Sequence, residues 1–280
     1  MDDPTPTQAA QPRAAAPLSS VVGDLRLHEF RSKIFRNTRW LRVWLPPGYE
    51  AAESQSIRYP VLYLNDGQNL FERATAFAGV EWQVDETADW LIRSNLIPPM
   101  ILVGIDNMQK ARIREYVPYR SLNPPILRPQ GKQYPDFLLD EIMPFVQHQY
   151  RVALGPANTG LGGSSLGALI SLYTVMTRAG VFGRLLLESP SLFLSYRSLL
   201  KETKNFRRWP QRIFLAIGTK EVGRDDRDRA VLADVKRLEQ NLRRAGLDDD
   251  RLRVEIEEGA VHSEATWARR FPGALRFLFG

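Results

Sequence analysis

The chain has 280 residues, a net charge of +6 and no cysteine; 44% of its residues are hydrophobic and 25% are charged. This composition excludes a disordered chain, a collagen-like repeat and a coiled coil, and the lack of cysteine excludes disulfides and thiolate chemistry. The basic residues are interleaved with acidic ones, so we expect no nucleic-acid-binding arm. No stretch approaches the 18 apolar residues of a membrane span.

The first twenty residues are rich in Pro, Ala and Gln and contain no apolar run. Such a segment buries too little apolar surface to offset the entropy of ordering. We therefore predict a disordered tail over residues 1–20 and a single folded domain over residues 21–280. The tail does not have the pattern of a secretory signal, which favours a cytoplasmic protein.

Strand and helix patterns alternate along the rest of the chain. Strands are predicted over residues 25–30, 39–45, 61–65, 100–105, 158–162, 185–187, 213–217 and 252–256, and helices over residues 84–94, 134–150, 166–177, 228–245 and 265–279. The first two strands favour an antiparallel pair, and the later apolar strands favour a mostly parallel sheet with helices on both faces. Ligands bind such α/β sheets at the carboxyl ends of the strands. The Pro-rich segment 109–132 lacks periodicity and is a candidate lid or substrate loop.

A Gly-x-Ser-x-Gly motif, Gly163 to Gly167, lies between a predicted strand and a predicted helix. In that context the pattern is typical of a nucleophile elbow, a sharp turn that projects the hydroxyl of the central serine. Ser165 is therefore the candidate nucleophile. The helix that follows would offer backbone N–H groups to an oxyanion.

A serine nucleophile needs a base, and the chain has three histidines. His28 lies in the first predicted strand, and His148 lies in the last turn of the 134–150 helix, where capping is the simpler role. His262 follows the last predicted strand, as expected when the order along the chain is Ser, acid, His. His262 is therefore the candidate base.

The acid is expected after the strand that lies between Ser165 and His262, and Glu221 follows that strand closely. Asp225, Asp226 and Asp228 are alternatives, although Asp226 and Asp228 fit better as charges at the start of the 228–245 helix. For the oxyanion hole, the pattern indicates the backbone N–H of Leu166 together with that of Gln68 or Gly67, in the loop after the 61–65 strand.

Further short segments, spread over most of the chain, match the motifs of a known protein family. They comprise residues 59–64, 66–71, 114–116 with Pro118, 134–150, 162–167 and 218–221, and His262 followed by Trp267. With these, residues 25–280 resemble the putative esterase family of α/β-hydrolases, which includes esterase D and the enterochelin-esterase-like proteins. The resemblance implies an α/β-hydrolase fold and serine hydrolase chemistry with Ser165, His262 and an acid at Glu221.

We therefore expect a serine esterase that acts through an acyl-enzyme on a small-molecule ester, such as a siderophore-like, feruloyl or acetyl ester. An acyltransferase and a catalytically inactive binding domain are the alternatives. Trp82, Arg114 and Tyr116 are candidate substrate contacts that would suit an aromatic or anionic acyl group, although Trp82 and Tyr116 could equally pack in the core. No cofactor and no metal site are expected.

Overall fold

A computed structural model describes residues 19–280. The tail predicted over residues 1–20 thus lies almost wholly outside the described residues. Within them, the strands are β1 (Asp24–Arg31), β2 (Thr38–Leu45), β3 (Val61–Asn65), β4 (Ile101–Ile105), β5 (Ser121–Leu122), β6 (Pro125–Ile126), β7 (Thr159–Ser164), β8 (Arg184–Glu188), β9 (Arg212–Gly218) and β10 (Leu252–Glu257).

Eight of these strands form one sheet in the order β1-β2-β4-β3-β7-β8-β9-β10. The pairs β1–β2 and β2–β4 are antiparallel, and all later neighbours pair in parallel. The antiparallel opening and the mostly parallel centre confirm the sheet predicted from the sequence. The carboxyl ends of the six parallel strands consequently lie along one edge.

The helices are α1 (Val84–Arg93), α2 (Arg112–Tyr116), α3 (Tyr134–Asp136), α4 (Met143–Gln149), α5 (Leu166–Thr177), α6 (Leu194–Thr203), α7 (Asp225–Arg244) and α8 (Glu264–Phe279). A π-helical segment, Phe137–Ile142, joins α3 to α4, so the helix predicted over residues 134–150 is continuous but locally widened. Among residues 19–280, no helix is both long and apolar enough to cross a bilayer.

The core lies on both faces of the sheet. One apolar cluster packs α5, α7 and the α3–α4 segment against one face, and a second packs α1 and α8 against the other. The wholly buried β3 and β4 lie between the two clusters, which explains their continuous apolar sequences.

The segment over residues 109–132 is more ordered than its sequence suggested. It contains α2 and the short hairpin of β5 and β6. Both elements are too short to produce a detectable period. Helix α6 was also not predicted, and it contains three consecutive left-handed residues, Ser195, Tyr196 and Arg197, which interrupt the helical pattern.

Candidate active site

The turn between β7 and α5 holds Ser165 in a strained backbone conformation, with φ 56° and ψ −119°. The N–H of Ser165 donates to the Glu188 carbonyl at 2.8 Å, which ties this turn to the end of β8. A Cβ at Gly167 would lie 2.9 Å from Asp66 Oδ2, and a Cβ at Gly163 would lie 3.1 Å from the Asn65 Cβ. Glycine at both positions therefore lets the turn pack against the end of β3.

Asn65 fixes this turn from the neighbouring strand. Its buried side-chain amide donates to the carbonyls of Gly162 and Gly167, at 3.2 and 3.0 Å, and to the Ser171 hydroxyl at 2.9 Å. The Tyr134 hydroxyl donates to its Oδ1. Asn65 was not among the predicted site residues, although a polar residue at the end of an otherwise apolar strand was a signal for it.

His262 lies in the loop between β10 and α8 and contacts Glu221 through Nδ1, with a distance of 2.5 Å to Oε2. Its ring packs edge-on against Trp267, with the centroids 4.9 Å apart. With Nδ1 engaged by a carboxylate, the neutral imidazole carries its proton there and leaves Nε2 as an acceptor. This is the tautomer that a general base needs.

The other oxygen of the Glu221 carboxylate accepts two hydrogen bonds. Oε1 accepts from the Gly218 N–H at 2.7 Å and from the Ser189 hydroxyl at 2.8 Å. Burial opposes the charged form, but the hydrogen bonds from His262, Gly218 and Ser189 outweigh it and hold the pKa of Glu221 below its ordinary value. The carboxylate is therefore fixed in place and ionised at neutral pH.

The alternative acids lie in or beside the first turn of α7 and contact other groups. Asp225 pairs with Lys220, Asp226 approaches Arg224 at 3.4 Å, and Asp228 accepts the Val222 N–H at 2.7 Å. Of the four candidate carboxylates, Glu221 is the one that contacts His262.

The loop after β8 contacts both the nucleophile and the acid. Ser189 donates to Glu221 and accepts from Trp267 Nε1 at 3.1 Å, while the Ser191 and Ser165 hydroxyls are 3.2 Å apart. In the described chain the Ser165 hydroxyl thus bonds Ser191 rather than His262. Catalytic hydrogen bonds are often loose without substrate.

Ser165 and His262 line one pocket of about 530 Å³ at the carboxyl edge of the sheet. Most of the residues that line it have polar side chains; besides these two, they are Asp66, Gln68, Asn69, Thr75, Ala76, Phe77, Asn107, Gln109, Arg112, Ser164, Glu264 and Trp267. A pocket of this size accommodates a small-molecule ligand.

The two candidate oxyanion donors after β3 differ in position. Gln68 lines the pocket, whereas Gly67 packs against the end of β4, where an added Cβ would lie 2.7 Å from the Gly104 carbonyl carbon. Leu166 is the first residue of α5, and the N–H groups of a first helical turn have no acceptor within the helix. These positions favour the backbone N–H groups of Leu166 and Gln68 as the oxyanion donors. A glycine at position 67 is explained instead by its close packing against β4.

The three predicted substrate contacts do not line this pocket. Trp82 is buried against Trp267 and Phe271, and Tyr116 is buried against Tyr134. Arg114 is exposed and donates to the Arg128 carbonyl. Arg112 lines the pocket in its place, since residues two apart point to opposite sides of a helix.

The other two histidines lie in the elements expected for them. His28 is in β1, with Nε2 2.5 Å from the Tyr150 hydroxyl. His148 is in the last turn of α4. Neither lines the pocket of Ser165.

Comparison with known proteins identifies the family. A family model described as Putative esterase matches residues 32–278. The chain belongs to this family. This confirms the resemblance found in the sequence and makes the protein a carboxylic ester hydrolase.

Individual relatives agree with this assignment. The uncharacterized protein YbbA of Bacillus subtilis is 27% identical over 248 residues, which cover 86% of this chain and 93% of the relative. Ferri-bacillibactin esterase BesA of the same organism is 24% identical over 162 residues, or 53% of each chain. The crystal structure of the enterobactin esterase FES from Shigella flexneri, determined in the presence of enterobactin, superposes with a TM-score of 0.71 at 17% identity over 92% of this chain and 60% of that chain. The structural likeness confirms the α/β-hydrolase fold of this esterase.

Proposed function

We propose that this esterase cleaves its substrate with a catalytic triad of Ser165, His262 and Glu221 through a covalent acyl-enzyme. The observation that supports the triad most directly is the 2.5 Å contact of His262 Nδ1 with Glu221, because His262 and Ser165 line the same pocket. The strained turn at Ser165 supports it as well, because strain of this kind concentrates at functional sites.

In acylation, the Ser165 hydroxyl attacks the ester carbonyl and transfers its proton to His262 Nε2. The Glu221 carboxylate stabilises the imidazolium that forms. The carbonyl oxygen becomes an oxyanion, which the N–H groups of Leu166 and Gln68 stabilise. His262 then protonates the alkoxide as the carbon–oxygen bond breaks, and the alcohol leaves.

In deacylation, water takes the place of the alcohol. His262 removes a proton from the water as its oxygen attacks the acyl carbon, and the Ser165 oxygen leaves and is reprotonated by His262. The products are a carboxylic acid and free enzyme. Every proton in this cycle passes through His262, so the cycle depends on the tautomer that Glu221 enforces.

The substrate we propose is a small-molecule ester of the siderophore-like, feruloyl or acetyl class. Two relatives support the siderophore-like and feruloyl classes by name: BesA is a ferri-bacillibactin esterase, and a xylanase of Xylanibacter ruminicola, 24% identical over 262 residues, is also a feruloyl esterase. The polar wall of the pocket would suit a substrate with several hydrogen-bonding groups.

The test is hydrolysis of p-nitrophenyl acetate and butyrate by wild type and Ser165→Ala, followed by a panel of the three ester classes. We expect wild-type turnover and a loss of about 10⁴-fold or more in kcat for the variant. Ser195→Ala is a matched control, because its buried hydroxyl bonds the Tyr119 carbonyl outside the pocket. Full activity of Ser165→Ala would refute the triad.

A further inference from the structure

The charged side chains of the pocket wall do not balance one another. Besides His262, they are Asp66, Arg112 and Glu264. Arg112 binds Asp66 with two parallel hydrogen bonds, each 2.7 Å long, and Asn107 also donates to Asp66 at 2.6 Å. The positive charge of the Arg112 guanidinium is therefore already paired with the Asp66 carboxylate. Little positive charge is therefore left to receive an anionic substrate.

Glu264 is the charge that remains. Among residues 19–280, no lysine, arginine or histidine forms an ion pair with it, and its side-chain contact is a long hydrogen bond of 3.4 Å from Asn69 Nδ2. Burial raises the pKa of Glu264 above its ordinary value, even though its own backbone N–H and the nearby His262 and Arg112 favour the charged form. An unpaired, half-buried carboxylate in a pocket is costly unless something that enters the pocket partners it.

The position of Glu264 in the chain places it next to the group that acts on the leaving alcohol. It is the first residue of α8 and lies two residues after His262, the group that protonates the departing alkoxide. A glutamate at this position also complements the helix dipole. That role would be served equally well by a side chain that pointed away from the pocket, so it does not account for a carboxylate in the pocket wall.

We infer that Glu264 determines specificity by charge, favouring esters whose alcohol portion carries a cation or hydrogen-bond donors and disfavouring those whose alcohol portion carries a carboxylate. This inference rests on the proposed function, since it concerns the leaving group of the Ser165 reaction. It concerns the alcohol portion of the ester, whereas the expectation attached to Arg114 concerned an aromatic or anionic acyl group. The chemical class it favours is an ester of an amino alcohol or a polyol.

The test uses three acetate esters that differ in the charge of the alcohol: acetylcholine, its neutral isostere 3,3-dimethylbutyl acetate, and 3-acetoxypropionate. All three form the same acetyl-enzyme, and kcat/KM reports binding and acylation, so the comparison isolates the effect of the alcohol. Proton release at pH 8, where a glutamate side chain is ionised, gives the rates for wild type and Glu264→Gln. Glu258→Gln is the matched control, because it removes the same charge from an exposed residue that lies four positions before His262 in the sequence and outside the pocket.

We expect wild-type kcat/KM to fall roughly tenfold from the cationic to the neutral ester and roughly tenfold again to the anionic one. In Glu264→Gln the three values should lie within about threefold of one another, and Glu258→Gln should keep the wild-type order. A Glu264→Gln variant that keeps the wild-type ratios, or a wild type that prefers the anionic ester, would overturn the inference.

The proposed function fails separately from this inference. Labelling of wild type with a fluorophosphonate reports whether Ser165 is activated at all, whatever the alcohol. If Ser165 is labelled but the three esters react alike or not at all, the charge selection is wrong and the triad stands. If Ser165 is not labelled, the proposed function is wrong and the selection fails with it.

Discussion

Replacing Glu221 by glutamine removes the charge of the acid and nearly preserves its shape. The carboxylate has two differently engaged oxygens, since Oε1 accepts from Gly218 and Ser189 while Oε2 contacts His262 Nδ1. A glutamine has one acceptor oxygen to offer. If that oxygen stays with Gly218, the amide NH₂ faces His262 and forces Nδ1 to become the acceptor. The proton then sits on Nε2, and the imidazole cannot take the proton of Ser165.

The opposite orientation of the glutamine is costly. It would direct the NH₂ at the Gly218 N–H, which donates over 2.7 Å in the native protein. A buried N–H without an acceptor costs about 1–3 kcal/mol, so the wrong tautomer should dominate by about 10- to 100-fold. Loss of a charged partner for the imidazolium costs about 1.5–3 kcal/mol more. Together these effects predict a fall of about 10²- to 10⁴-fold in kcat for Glu221→Gln.

The assay is steady-state hydrolysis of p-nitrophenyl acetate at pH 8, with kcat and KM determined separately. KM should change little, because Glu221 does not line the pocket. Asp225→Asn is the control, since it removes an exposed carboxylate that pairs with Lys220, and it should keep activity within about twofold. A folded Glu221→Gln protein with kcat within tenfold of wild type would refute the tautomer argument.

Three further predictions concern Ser189 and Gly167 beside the site and Asp85 in α1. Ser189→Ala removes one donor to Glu221 and should lower kcat by about tenfold with KM unchanged; a kcat equal to that of wild type would contradict the positioning role. Gly167→Ala places a Cβ 2.9 Å from Asp66 Oδ2 and 3.0 Å from the Asn65 Cβ, so urea unfolding should reveal a loss of about 1–3 kcal/mol, and unchanged stability would argue against this close packing. Burial raises the pKa of Asp85 to about 8, so the folded state loses stability as pH rises from about 4 to 8. Asp85→Asn, which keeps an acceptor for the Val22 N–H, should therefore melt higher than wild type at pH 8.5 and close to it at pH 4, and parallel pH profiles of melting temperature would contradict this.

The sequence predicted best those strands and helices whose ends are marked by a clear residue pattern. The predicted bounds of β3 and α5 match the structure, because a wholly apolar run ending in Asp66-Gly67 and a helix starting after Ser165 have clear boundaries. Helix α6 escaped prediction because its left-handed turn breaks the helical period.

Within the candidate site, the sequence predicted the three catalytic candidates better than it predicted the pocket wall. The order of Ser165, Glu221 and His262 along the chain was enough to nominate them, because each follows the end of a parallel strand. The pocket wall was not predictable in the same way. Arg112 rather than Arg114 faces the pocket because of the phase of a five-residue helix, and Glu264 enters it through the direction in which α8 begins. Both depend on packing between distant segments.

The most direct test of the triad is to map a fluorophosphonate adduct by peptide mass in wild type and in His262→Ala. An activated serine reacts rapidly with this reagent, whereas an ordinary hydroxyl does not. The triad predicts one adduct per chain on the peptide that contains Ser165, and its loss in His262→Ala. An adduct on another residue, or equally fast labelling of Ser165 without His262, would contradict it.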